Sequence, residues 1–223
     1  MSGEFKLVDV SHTVEHGMIT YKGLPAPVIS DHLSREDSRR RYAPGTEFQI
    51  GKIEMVANTG TYLDSPFHRY ARGKDLAALD LYSLANLDGV VVRVGEREIT
   101  EKSFSEIELK NKAVLVHTGW DKHWRTEEYS SGNHPFLTEG AATYLAKSDA
   151  ALVGIDSFNI DATYDGNRPA HSILLGHDLP IVEHLCGLED LPDSGFKFFA
   201  VPVKVRQFGT FPVRAFGIVF SGR

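Results

Sequence analysis

Three short apolar runs, residues 89–94, 113–117 and 151–155, are rich in Val and Ile and show no polar alternation. That is the pattern of strands buried on both faces. Residues 103–109, between the first two, predict a short helix. Between the second and third, Thr138 is placed to cap a helix over 138–147, where Ala141, Ala142, Tyr144, Leu145 and Ala146 favour the helical state. Strand, helix, strand, helix, strand predicts a parallel core with right-handed crossovers. Residues 48–57 alternate in part, Ile53, Met55 and Ala57 against Lys52, Glu54 and Val56, which predicts a half-buried strand. Residues 179–185 read as a further strand with Glu183 in an apolar context. The C-terminal third changes character: residues 196–205 and 214–220 are strand-like with no helix between them, divided by 207–210, so they predict a hairpin-like or long-loop pair. The expected class is α/β with a mixed sheet. The most polar stretch, 32–41, holds Arg35, Arg39, Arg40 and Arg41 near Glu36 and Asp37. It reads as a solvated loop or short helix, with a lid or subunit contact as the alternative.

Composition narrows the class. The chain has 223 residues, 42% hydrophobic and 24% charged, which fits one domain over 1–223 with a sizeable core. Lys and Arg sum to 24 against 30 for Asp and Glu, a formal charge of −6 that argues against a nucleic-acid partner. No apolar run approaches the roughly eighteen residues of a membrane span. The segment from Met1 to Asp9 does not read as a secretory leader. Cys186 is the only cysteine, which excludes an intramolecular disulfide and fits a reducing cytoplasm. It reads as a small core residue rather than a nucleophile. Neither a glycine-rich phosphate loop nor a nucleophile elbow is present, so nucleotide use and serine-hydrolase chemistry are disfavoured.

The densest cluster of unusual residues is 58–68, Asn-Thr-Gly-Thr-Tyr-Leu-Asp-Ser-Pro-Phe-His. Gly60 permits a sharp turn and Pro66 stops a regular helix, which puts Asp64 and His68 on a shaped loop. A carboxylate and an imidazole there can bind a metal, exchange a proton or simply bond to each other. A second cluster runs from His171 to Glu183. A buried Glu183 needs a partner or takes up a proton. Asp64, His68, His171 and Glu183 would together suit one zinc or manganese ion, with a position left for water.

These segments resemble the cyclase family of metal-dependent hydrolases, which includes bacterial kynurenine formamidase and isatin hydrolase. The family motif His-x-Gly-Thr-His-x-Asp-x-Pro-x-His, often with one further residue after the first His, aligns here as Asn58, Gly60, Thr61, Tyr62, Asp64, Pro66 and His68. His171 and Glu183 match its downstream His and Glu. Asp9-Val10-Ser11-His12 resembles its opening, Gly154-Ile155-Asp156 and Asp161 its Gly-Ile-Asp segment, and Leu191-Pro192 with Pro202-Val203-Lys204 its C-terminal region. The resemblance implies a swivelling β/β/α fold, a homodimer or higher homo-oligomer, and activated-water attack on an amide, formamide, lactam or ester carbonyl of a small, aromatic or cyclic molecule.

Two motif histidines are replaced. Asn58 and Tyr62 stand where the family places metal ligands, and an amide oxygen and a phenol of pKa about 10 are poor ligands. The resemblance therefore implies that the first position of the two-metal formamidases is lost, while the second survives as Asp64, His68, His171 and Glu183. The alternatives are one metal at that site, or a metal-free pocket in which Asp64 and His68 act as an acid–base pair. Tyr62 and Asn58 are candidates to hydrogen-bond a developing oxyanion, or fill the space of the absent ion. Phe67 and Trp120, with Trp124, Tyr70 and Phe158, are candidates for an aromatic wall at the substrate. His12, His16, His32, His134, His177 and His184 read as surface or hydrogen-bonded residues, Asp156 as a loop anchor, and His117 as undecided. A non-hydrolytic cyclase, dehydratase or isomerase, or a binding protein that has lost catalysis, are the competing classes.

Overall fold

A computed structural model describes residues 5–220. Residues 1–4, part of the segment read above for a leader, and 221–223 lie outside the described residues. The elements run β1 (Phe5–Asp9), β2 (Val28–Leu33), α1 (Arg35–Arg39), β3 (Ile50–Glu54), β4 (Tyr62–Asp64) and β5 (Leu87–Arg93). They continue with β6 (Glu98–Ile99), β7 (Lys112–His117), β8 (Phe136–Leu137), α2 (Glu139–Lys147), β9 (Leu152–Ile155) and α3 (Pro169–Gly176). The last are β10 (Ile181–Glu183), β11 (Ser194–Phe199), β12 (Thr210–Pro212) and β13 (Phe216–Phe220).

One mixed sheet of nine strands, ordered β1-β13-β11-β5-β7-β9-β10-β4-β12, carries the fold. Its centre, β5-β7-β9-β10, is parallel, and the flanks are antiparallel. The central strands are buried along both faces because apolar layers cover each side. Val90, Val92, Val114, Val116, Val153 and Ile155 face α2 and α3, meeting Ala141, Leu145, Ala170 and Leu174. Val91, Ala113, Leu115 and Leu152 face the other way, onto Leu63, Leu185, Phe196 and Phe198. Burying a large aliphatic or aromatic side chain contributes about 1.5–3 kcal/mol. Helix α2 starts where the sequence placed it, because the Thr138 hydroxyl accepts from the Ala141 amide at 3.2 Å.

Four expectations change. Residues 50–54 form a strand, but it is exposed throughout, since β3 pairs only with β2 in a two-stranded ribbon outside the main sheet. The helix expected over 103–109 is reduced to a 3-10 turn at Glu101–Ser103, so the first crossover is mostly irregular. The strand from 196 ends at Phe199, and β12 leaves the β11–β13 connection to pair at the far end of the sheet. Asp64 lies on strand β4, and His68 ends a 3-10 turn, Pro66–His68, rather than both sitting on a loop. Polar residues 32–41 include the short helix α1, capped by Ser34.

Candidate active site

Strand β4 holds the site together. In its ladder Asp64 is opposite Ile181 of β10 and Thr210 of β12, and Tyr62 is opposite Glu183. Strands separated by more than 100 residues in the chain therefore converge on one short segment. Gly60 at φ +64° makes the turn into it. Gly209 has no room for a Cβ, which would lie 2.6 Å from the His68 backbone, and that approach sets Thr210 beside His68.

Asp64, His68 and His171 each present a ligand atom, all within 4.8 Å of one another. His171 Nε2 is 3.7 Å from Asp64 Oδ2, and His68 Nδ1 is 3.7 Å from Asp64 Oδ1. Second partners fix both rings. His171 Nδ1 meets Asp161 Oδ2 at 2.6 Å, and the Asp161 carboxylate also accepts from the amides of Ala170 and His171. Asp161 thus caps α3 and leaves Nε2 of His171 facing the site. The Thr210 hydroxyl donates to Asp64 Oδ1, so at 2.9 Å it can only accept from His68 Nδ1–H. That places the free lone pair of His68 on Nε2.

Glu183 stands next to these three, with Oε1 3.8 Å from His171 Nε2. Its carboxylate already accepts from the Ile160 amide at 2.7 Å and the Tyr62 hydroxyl at 2.5 Å. Burial pushes its pKa up, with His171 acting against that shift. Burial disfavours the imidazolium of His171, but Glu183, Asp161 and Asp64 together outweigh that and raise it to about 10. Asp64 Oδ2 is buried and has no hydrogen-bond partner. An orphaned carboxylate oxygen beside the His171 imidazole, on a residue that His68 also approaches, fits a divalent cation.

Proton counting gives the buried network beyond Glu183 a direction. Tyr62 donates to Glu183, so it accepts from Tyr21 at 2.8 Å. Tyr21 then accepts from His184 Nε2 at 3.0 Å, and His184 Nδ1 accepts from Tyr129 at 2.7 Å. Burial, followed by the charge of Glu183, holds the Tyr62 and Tyr21 phenols well above their usual pKa, so both stay protonated. Burial likewise keeps His184 neutral.

A cavity of about 350 Å³ opens over these groups. Tyr21, Leu24, Asn58, Tyr62, His68, His171 and Glu183 line it, with Arg69, Asn159, Asn167 and Arg168 on the same wall set. Phe67 and Trp120, expected at the substrate, are not among the lining residues. The Trp120 indole donates instead to Tyr129 O at 3.1 Å. Trp124 stacks on His12 at 3.8 Å. His134 and His184 are the hydrogen-bonded kind, both buried, the first on Asp161 O and the second between Tyr129 and Tyr21. Asp156 anchors the loop after β7 by accepting from Thr118 and Gly119. His117 lies 3.9 Å from Asp156 and Glu189, outside the cavity lining. Burial pushes the Cys186 thiol up to about 12, as an inert side chain requires. Tyr21, Asn159, Arg168 and Thr210 carried no local sequence signal, because their partners are distant in the chain.

The cyclase family model matches residues 8–162, and the chain belongs to that family. Among curated proteins, a kynurenine formamidase of Polaromonas naphthalenivorans (strain CJ2) is 28% identical over 176 residues, covering 78% of this chain and 76% of the relative. A kynurenine formamidase of Bacillus cytotoxicus is 26% identical over 209 residues, covering 93% and 95%. Among solved structures, isatin hydrolase A from Labrenzia aggregata bound to benzyl benzoate superposes with a TM-score of 0.81 at 21% identity, covering 97% of this chain and 94% of that one. A structure described as a potential metal-dependent hydrolase with cyclase activity gives 0.79 at 23%, covering 98% and 100%. The protein is an enzyme of the cyclase family, with its mixed α/β fold. Among the described residues no helix is long and apolar enough to cross a membrane.

Proposed function

We propose that this cyclase-family enzyme is a metal-dependent hydrolase that cleaves an amide, formamide, lactam or ester carbonyl of a small aromatic or cyclic molecule. The observation that carries the reading is the convergence of Asp64, His68 and His171, together with the unpartnered Oδ2 of Asp64. Those residues would hold one ion, with Glu183 Oε1 as a fourth donor, and zinc and manganese suit one or two carboxylates with two imidazoles. A divalent ion there supplies Lewis acidity and lowers the pKa of water. Asp161 holds His171 in the ligating tautomer. Thr210 would hold the Nδ1–H of His68 and so leave its Nε2 lone pair for the ion. Tyr62 keeps Glu183 oriented, and Asn58 offers an amide donor at the cavity wall.

The same Asp64–Thr210–His68 chain favours a second reading, in which His68 acts as a base without a metal. Elemental analysis of protein purified without added metal separates the two, together with turnover of formanilides, lactams and lactones with and without chelator. One ion per chain and chelator-sensitive turnover support the metal reading. Full activity in metal-free protein overturns it, and no turnover on any acyl compound overturns the hydrolase reading.

The exposed apolar ribbon β2–β3, with Val28, Ile29, Ile50 and Ile53 at its surface, supports a homodimer or higher homo-oligomer. The single cysteine supports a cytoplasmic setting.

A further inference from the structure

The cavity wall carries two guanidinium groups, Arg69 and Arg168. Neither is within ion-pair distance of a carboxylate among the described residues; their hydrogen bonds are to neutral groups. Arg69 Nε donates to Ser172 Oγ at 3.1 Å, and Arg168 donates from one terminal nitrogen to Asn159 Oδ1 at 2.8 Å. Arg168 is half-buried, and a partly buried charge without a counter-ion is costly. Its backbone adds to the cost. Arg168 has φ 51° and ψ 59°, the left-handed region, directly before Pro169. Such a non-glycine residue persists where the surroundings fix it, and it often marks a ligand site. Asn159 supplies that fixing, since it is buried, takes the Asp161 amide on Oδ1 and donates to Tyr21. Arg168 is thereby tied, through Asn159, to the residues around Glu183, with the rest of its fork left for a ligand.

We propose that the substrate carries a carboxylate, and that Arg168, with Arg69 on the same cavity wall, receives it. A planar guanidinium matches a carboxylate through two parallel hydrogen bonds, and a lysine in its place would not. The substrate's acid group is held at the wall, and its acyl carbon reaches the Asp64–His68–His171 cluster. The turnover arm of this inference rests on the hydrolase reading; the binding arm does not.

The test compares a formanilide with its ring-carboxylated counterparts, one for each ring position, in wild type and in Arg168→Asn. Asparagine tolerates the left-handed backbone, so the variant keeps the fold. Arg69→Gln provides a second, independent variant. In parallel, calorimetry follows benzoate and, once checked for absence of cleavage, benzamide. The expected result is a roughly 100-fold preference in kcat/KM for one carboxylated compound, collapsing toward parity in Arg168→Asn. Benzoate binds in preference to benzamide, and the variant loses that preference. If none of the anilides is cleaved but the benzoate preference exists and Arg168→Asn abolishes it, the hydrolase reading falls and the carboxylate site stands. If anilides are cleaved with no carboxylate preference, or with one that both variants retain, the carboxylate site is overturned and the hydrolase reading stands. No cleavage and no benzoate preference overturns both.

Discussion

Asp161 takes the Nδ1 proton of His171 at 2.6 Å while its two oxygens cap the first turn of α3. One carboxylate therefore fixes both the position and the tautomer of a proposed metal ligand. Asp161→Asn keeps the size but presents an amide that can turn its NH2 to Nδ1. The expected outcome is a 10–100-fold weaker metal affinity, in keeping with losses of this kind at other metal centres, read by chelator competition. An unchanged affinity would remove Asp161 from the site's design.

Metal and proton compete for His171. Without a cation, its pKa is raised to about 10 against a free value near 6.5. Between those values the unfolded chain binds fewer protons than the fold, so metal-free protein loses stability as pH rises from 6.5 toward 10. The slope reaches about 1.4 kcal/mol per pH unit for one proton. Denaturation in chelator from pH 6.5 to 9.5 should show this fall, and His171→Gln should flatten it. Metal added at neutral pH should release close to one proton per ion, measurable by calorimetry in buffers of different ionisation enthalpy.

Tyr62 already spends its proton on Glu183. Tyr62→Phe should therefore lower kcat by much less than the roughly 100-fold or more that follows loss of an oxyanion donor. It should destabilise the fold by about 1–3 kcal/mol, since Glu183 and Tyr21 lose a buried partner. A kcat loss of oxyanion-hole size would assign Tyr62 to the substrate instead.

Asn58 and Tyr62 both line the cavity near Asp64. Replacing both with histidine should add a second metal equivalent per chain, counted by elemental analysis. A stoichiometry unchanged from wild type would show that backbone geometry, not ligand identity, limits the site.

Burial lowers the His12 pKa to about 4 and so keeps the ring, which stacks on Trp124, neutral in the fold. His184 is shifted the same way by burial. Their contribution is present above the unfolded value near 6.5 and is lost as pH falls toward 4. His12→Phe keeps the stack and removes the buried, unpartnered Nε2, so the acid-induced fall in Tm should become shallower.

Much of the central fold was legible in the chain because local pattern and long-range burial agree there. The runs at β5, β7 and β9 have apolar layers on both sides, and Thr138 does cap α2. Of the ribbon only β3 was legible as strand, and not as exposed, because alternation reports a half-buried face only when something packs on it. Asp64, His68, His171 and Glu183 were visible as unusual residues. Their supports were not: Thr210 lies 142 residues from His68, and Tyr21 lies 163 residues from His184. Nothing in the sequence singles out Arg168; its backbone angle and its place in the cavity wall do.

Strand β12 reaches β4 from the long connection after β11, so the hydroxyl that sets the His68 ring arrives last. A nascent chain that has emerged as far as Glu183 holds every proposed ligand yet lacks the latch that orients one of them. Competence is thus a property of the finished polypeptide, and C-terminal truncation upstream of residue 210 should yield a sheet without a working centre.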